Sequence, residues 1–188
     1  MPPRAKYTKE QIRDAAYEMV RKEGFGKLSA RNLAAELGMS TAPIFTAFSG
    51  IDELQKEVHN KAWNLYCDYF NRGMEAPIPF KGAGLMYIKF AKEEPNLFKM
   101  LFMNGNGEVP LTHYFPSGDK VNEPVVRENV KNSYGLNEEK AKKLYNHLSV
   151  YVHGIAVMEA QGNCVFTDED INLMISEVFK SLINGGVL

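Results

Sequence analysis

The sequence has few of the features that mark secreted, membrane or metal-binding proteins. Its two cysteines, Cys67 and Cys164, are far apart and form no CxxC pair, so we expect neither a disulfide framework nor a zinc site. No apolar stretch approaches the roughly 20 residues that cross a bilayer, and residues 1–10 lack the apolar core of a signal peptide. The 188 residues are 45% hydrophobic, enough for a sizeable core. We therefore expect a cytoplasmic protein of one or two domains.

Charge is unevenly distributed, although the net charge is only −1. Residues 1–50 carry eight basic and five acidic side chains, a balance of +3, and the remainder carries 14 basic and 18 acidic, a balance of −4. A basic head on an acidic body indicates a polyanionic partner for the head alone. Chance variation over fifty residues explains the same imbalance, so charge leaves both interpretations open.

Helix signals run through the whole chain, and strand signals are weak because there is no sustained alternation of apolar and polar residues. Thr8 with Gln11 fits a capping box for a first helix, and Asn137 and Thr167 are suited to cap the last two. The fold class predicted is all-α, with an N-terminal three-helix helix-turn-helix domain and a second helical domain of about six helices. The later helices are expected at about residues 51–71, 80–93, 95–103, 121–133, 137–161 and 167–184.

The segment from Ser29 to Phe48 has the spacing of a helix-turn-helix. Ser29 is suited to cap the first of its two helices and Ser40 the second. Ala34 allows the helices to cross closely, Gly38 allows a tight left-handed turn, and Ile44 anchors the second helix. An ordinary helical hairpin has the same spacing, so both interpretations stand on spacing alone.

In a DNA-binding helix-turn-helix, the second helix enters the major groove and its N-terminal residues contact base edges. Side chains that can contact bases or backbone here are Ser40, Thr41, Ala42, Pro43, Phe45 and Thr46. Ser29 and Arg31 on the preceding helix, and Lys6 in the basic N-terminal tail, are suited to contact phosphates.

Residues 8–58 resemble the N-terminal DNA-binding domain of TetR-type transcriptional regulators. The resemblance includes the first-helix pattern Ile12-x-x-Ala15-Ala16 and the exit Gly24-Phe25. It implies a DNA-binding domain in residues 1–50 and a ligand-binding and dimerisation domain in residues 51–188. It further implies a homodimer, a double-stranded DNA operator with two half-sites, and a small-molecule effector.

The sequence departs from the family pattern at the end of the recognition helix. The family usually has an aromatic pair followed by His where this chain has Phe45, Thr46 and Ala47, and Lys where it has Ile51. Losing these phosphate contacts weakens DNA binding, since a hydrogen bond contributes about 1 kcal/mol and more when charged. The alternative function is therefore a ligand-binding helical dimer of the same fold with weak or lost operator recognition.

Large aromatic and Met side chains between residues 63 and 160 can line an apolar ligand pocket. The ligand-binding candidates are Trp63, Tyr66, Phe70, Met86, Phe90, Phe98, Phe102, Tyr151 and His153. For each residue taken alone, a place in the core is the alternative. The segment 104–118 is either a lid over the pocket or a surface loop. The histidines lack metal-ligand spacing, so neither a metal site nor a cofactor is predicted.

Apolar positions at helical spacing in the last two helices favour a four-helix interface between two copies of the chain. Burial of the same positions within one chain is the alternative; they are Leu144, Leu148, Tyr151, Val152, Ile155 and Met158, then Leu173, Met174, Val178, Phe179 and Leu182. No catalytic motif appears, so no enzyme is predicted. The hypothesis is a ligand-responsive DNA-binding regulator, a repressor released from its operator by a small apolar or aromatic effector.

Overall fold

The computed structural model of the chain describes residues 7–103 and 122–185. Within these residues the protein is all-helical, which confirms the predicted fold class. Nine α-helices are described, and one 3₁₀ turn lies at Phe25–Lys27. They are α1 Lys9–Glu23, α2 Ala30–Glu36, α3 Ala42–Ala47, α4 Ile51–Met74, α5 Pro79–Glu93, α6 Pro95–Phe102, α7 Asn122–Tyr134, α8 Glu138–Gln161 and α9 Asp168–Asn184. None of the described helices is long and apolar enough to span a bilayer.

Side-chain caps fix four of the helix starts where the sequence predicted them. Thr8 forms the full capping box with Gln11 at the start of α1, and Thr167 forms one with Asp170 at the start of α9. Ser29 accepts from the Asn32 amide at 3.1 Å, and Asn137 accepts from the Lys140 amide at 2.9 Å. These bonds satisfy amides that have no partner inside the helix.

The start of α3 corrects one prediction. Thr41, and not Ser40, occupies the cap position, and no side chain caps the helix. Pro43 has no N–H, and the Ile44 amide already bonds to the Thr41 carbonyl at 3.1 Å. The first turn therefore leaves few free backbone amides from which a capping side chain could accept a hydrogen bond.

Helices α1, α2 and α3 pack around a small apolar core and form the head of the molecule, residues 7–50. Ile12, Leu33, Ala34, Ile44 and Phe48 are all buried in it. Gly38 adopts φ +60° between α2 and α3, the left-handed turn that its lack of a Cβ permits. The head thus has the two crossed helices and the tight turn of a helix-turn-helix.

The body is built around α4, whose 24 residues begin just after the head and pack against α1 and α5. At its centre lies the aromatic cluster, with neighbouring ring centroids 4.9–6.5 Å apart in tilted or edge-on arrangements. Its members are Tyr66, Tyr87, Phe90, Phe98 and Phe102. Because these rings come from α4, α5 and α6, they join three helices of the body into one core.

Polar contacts tie the head to the body at both ends of α1. Arg21 of α1 forms a two-pronged ion pair with Glu94, between α5 and α6, with Nε donating to Oε2 at 2.7 Å and Nη2 to Oε1. At the other end of α1, Lys9 Nζ lies 2.7 Å from Glu53 Oε1 of α4. The hydrogen bond from Lys9 lowers the pKa of Glu53 to about 2. The orientation of α1 is therefore coupled to the starts of α4 and α6.

Candidate DNA-binding surface and ligand cavity

Helix α3 presents its polar and small side chains outward. Ser40, Ala42 and Thr46 are exposed, and Thr41 and Pro43 are half-buried. The Phe45 ring is 54% exposed, which is unusual for so large an apolar side chain. The exposed candidates therefore share one surface of the head, because Ile44 and Phe48 anchor the opposite face in the core.

Helix α2 adds polar groups beside this surface. Ser29 holds the first turn of α2 through its bond to the Asn32 amide, and Arg31 is exposed. The predicted tail contact Lys6 lies outside the described residues. Phosphate contact by Ser29, Arg31 and Lys6 stays a prediction.

Helix α3 itself carries no charged side chain. The Thr46 hydroxyl donates to the Ala42 carbonyl at 3.0 Å, so its proton is already engaged although its oxygen still accepts. Ala47 and Ile51 occupy positions where the family usually has phosphate-binding side chains. Both are half-buried and apolar. Helix α3 therefore supplies no charge of its own to this surface.

A cavity of about 360 Å³ lies in the body among α4, α5, α7, α8 and α9. Most of its wall is apolar or aromatic. It is lined by Tyr66, Phe70, Ile78, Phe80, Lys81, Ala83, Gly84, Tyr87, Tyr134, Tyr145, Leu148, Ser149, Val152, Ile175, Ser176, Phe179 and Lys180. The volume is near the lower end of the ~300–1,000 Å³ typical of small-molecule sites.

Of the nine predicted ligand residues, Tyr66 and Phe70 line this cavity. Phe90, Phe98 and Phe102 do not, because their rings are buried against one another in the aromatic cluster on the far side of Tyr66 and Tyr87. For these three residues the structure shows the alternative that the sequence left open, a place in the core.

The other four predicted residues also lie away from the cavity wall. Trp63 packs against Tyr66 with ring centroids 5.2 Å apart, and Met86 and Tyr151 pack half-buried against the core. His153 Nδ1 lies 2.9 Å from the Tyr87 hydroxyl, and burial lowers the pKa of this histidine. His153 therefore contacts the cavity-lining residue Tyr87 without lining the cavity itself.

The sequence analysis missed the polar groups of the cavity, above all Lys81, Ser149, Ser176 and Lys180. Lys81 lies in an otherwise apolar stretch of α5, and that placement is the signal that points to it. The predicted lid 104–118 lies outside the described residues. Cys67 and Cys164 are free and half-buried, and the described residues hold no cluster of metal-binding side chains.

Residues 12–58 match the family described as "Bacterial regulatory proteins, tetR family". This range begins in the first turn of α1 and ends in the early turns of α4, and so includes the whole helix-turn-helix. The match bears out the resemblance predicted over residues 8–58 and identifies a DNA-binding domain of the TetR type at the N-terminus of the chain. No curated protein matches the chain.

Proposed function

We propose that the chain is a ligand-responsive repressor and not an enzyme, with residues 1–50 binding operator DNA and residues 51–188 binding an effector and a second copy of the chain. The observation that carries the proposal is the position of α4. Its first turn follows the recognition helix α3, and Tyr66 and Phe70 further along it line the cavity. A ligand that moves α4 therefore moves the head.

In this proposal α3 lies in the major groove. The Thr41 hydroxyl contacts a base edge, Ala42, Pro43 and the Phe45 ring contact thymine methyl groups, and Ser40 and Thr46 lie along the same groove. Backbone phosphates are contacted by Ser29, Arg31 and Lys6. Because α3 carries no charge of its own, base recognition depends on neutral contacts, and affinity depends on α2 and the tail.

Control by the effector requires two arrangements of head and body that bind DNA and ligand differently. Occupancy of the cavity displaces α4 directly through Tyr66 and Phe70. It also displaces α6, since Tyr66 and Tyr87 pack against Phe98 and Phe102. At its start α6 holds α1, where the Asn96 amide donates to the carbonyls of Arg21 and Lys22 at 3.0 and 3.1 Å.

Two heads reach successive half-sites, about 34–36 Å apart, only as a dimer. We propose that the copies meet through α8 and α9. Leu144, Leu148, Val152 and Ile155, which the sequence offered for this interface, are buried within the chain. Met158 of α8 and Leu173 of α9, which the sequence also offered, are exposed, and so is Val150 of α8, which it did not offer.

DNA binding by the full-length protein to the DNA upstream of its own gene tests the proposal, in a gel shift repeated over a range of salt concentrations. Thr41→Ala is expected to lower affinity for the specific site by about 1–3 kcal/mol with little effect on random DNA. Arg31→Ala is expected to weaken both and to reduce the salt dependence by about one ion. Arg72→Ala, on an exposed arginine at the far end of α4, is the control and is expected to change neither.

If the wild type and all three variants bind every DNA in one salt-sensitive, sequence-blind mode, the repressor proposal is wrong. The uncharged α3 and the apolar Ala47 and Ile51 then favour the second candidate function, a ligand-binding dimer of the same fold without an operator. Ligand binding in the cavity without any specific DNA site identifies that case.

A further inference from the structure

The cavity contains two basic side chains and, among its described lining residues, no acidic one. Lys81 comes from α5 and Lys180 from α9. Lys81 Nζ donates to Ser176 Oγ at 3.0 Å, and neither lysine pairs with a carboxylate of the described residues. Lys81 is half-buried and Lys180 is exposed, and an anion between them would gain charge-assisted hydrogen bonds from both. The cavity thus provides positive charge and leaves the negative partner to a ligand.

Ser149 of α8 is a second and independent sign of a ligand. Its side chain lines the cavity and it is 7% exposed. Its hydroxyl has no hydrogen bond to any residue that the structure describes, although hydroxyls of Thr46 and Ser176 on other helices bond to the carbonyl one turn back. A buried hydroxyl without a partner costs about 1–3 kcal/mol. A polar group on a ligand satisfies it.

The remaining wall determines the body of the ligand. Tyr66, Phe70 and Val152 face the cavity from α4 and α8, and Ile175 and Phe179 face it from α9. A wall of this kind favours an apolar or aromatic body, and the volume of about 360 Å³ restricts it to a small molecule.

From these groups we infer that the cavity binds a small carboxylic acid with an apolar body, its carboxylate held by Lys81 and Lys180 and a polar atom bonded to Ser149. The inference names the chemical class of the effector and rests on the proposed function only in treating this cavity as the effector site.

Calorimetric titration of the full-length dimer with matched acids and amides tests it. The probes are octanoate with octanamide and 4-phenylbutyrate with 4-phenylbutanamide, because each pair has the same body and differs in charge. At least one of the two acids is expected to bind about tenfold more tightly, or better, than the amide with the same body. Octylamine, with the opposite charge, is expected not to bind.

Variants then locate the charge. Lys81→Gln and Lys180→Gln are each expected to weaken acid binding about tenfold and to reduce the preference for acid over amide. Lys81→Arg keeps the charge and is expected to retain the preference, which separates loss of charge from loss of fold. Lys89→Gln, on an exposed lysine of the same helix, is the control and is expected to bind the acid like the wild type.

The inference is overturned if the amides bind as tightly as the acids, if both glutamine variants keep the preference, or if none of the acids binds. The same samples are then tested for DNA binding. Amides that bind in the cavity and release DNA leave the proposed function standing and refute the carboxylate. Acids that bind as predicted and leave DNA affinity unchanged support the ligand class and refute the effector role.

Discussion

At the scale of single residues, a close approach between two helix backbones of the body depends on two glycines. Helices α4 and α5 meet at Gly73 and Gly82, where a Cβ built on Gly82 would lie 2.1 Å from the Gly73 carbonyl oxygen and 2.6 Å from Ala76 Cβ. A backbone oxygen cannot move aside without moving its helix. Glycine is required here by space, since neither residue has positive φ.

We expect Gly82→Ala to lower the free energy of unfolding by about 1–3 kcal/mol, because the added methyl group forces α4 and α5 apart. The change runs against helix propensity, which by itself favours Ala over Gly by up to about 1 kcal/mol. Urea denaturation measures it. The control is Gly84→Ala on the same helix, whose Cβ would meet Val152 Cγ2 at 3.4 Å. Equal effects of the two substitutions would show that the crossing is not tightly packed.

At the scale of elements, the junction between head and body depends on Glu94. This carboxylate is 6% exposed and receives both prongs of the Arg21 guanidinium. Arg21 is partly exposed and also lies 3.7 Å from Glu18 on its own helix. The buried partner therefore contributes more than the exposed one, because solvent screens the Glu18 contact.

Glu94→Gln is expected to destabilise the junction by about 1–2 kcal/mol, since a charge-assisted pair becomes at best a neutral hydrogen bond and Arg21 keeps partial solvation. Hydrogen exchange of the amides in the last turn of α1 measures it, and those amides are expected to exchange about five- to thirtyfold faster. Glu18→Gln removes the exposed partner of the same arginine and serves as the matched control. Comparable acceleration in both variants would refute the role assigned to Glu94.

The ends of the helices were predictable because their signals are local. The capping residues Thr8, Asn137 and Thr167 act on amides three residues away, so neither packing nor partner helices are needed to place them. Ser40 was wrongly assigned as a cap because Pro43 and the αR backbone of Thr41 change which amides are free. That effect is also local, but it depends on backbone geometry that residue types alone do not fix.

The cavity was less predictable, because it depends on which inward-facing residues leave space between helices. Helical spacing indicates that Phe98 and Phe70 both face inward, yet Phe98 is enclosed by other rings and Phe70 lines the cavity. Spacing gives the direction of a side chain and not the separation of the helices on either side. Lys81 was missed because lysine side chains are ordinarily exposed. Sequence alone therefore assigns it to the surface and gives no sign of a cavity beside it.

At the scale of the whole molecule, the outward face of α8 has the features of a helix–helix contact. Val150 and Met158 are exposed along it, and Gly154 lies between them with nothing within 4 Å of its missing Cβ. A glycine in the middle of a 24-residue helix costs about 1 kcal/mol relative to Ala, and nothing in the described chain needs its small size. The proposed dimer, in which a second copy of α8 or α9 packs closely against this face, would give the small residue a purpose.

We expect Leu173→Glu, on the neighbouring exposed face of α9, to weaken dimerisation at least tenfold, or about 1.4 kcal/mol, because it buries an unpaired charge in the proposed contact. Sedimentation equilibrium measures the dissociation constant, and operator affinity is expected to fall with it since one protein then reaches one half-site. Val165→Glu places the same charge on a residue that is 90% exposed between α8 and α9 and is the control. If Leu173→Glu dimerises as tightly as Val165→Glu and the wild type, the interface lies elsewhere. A monomeric wild type would remove the basis for two heads acting on one operator.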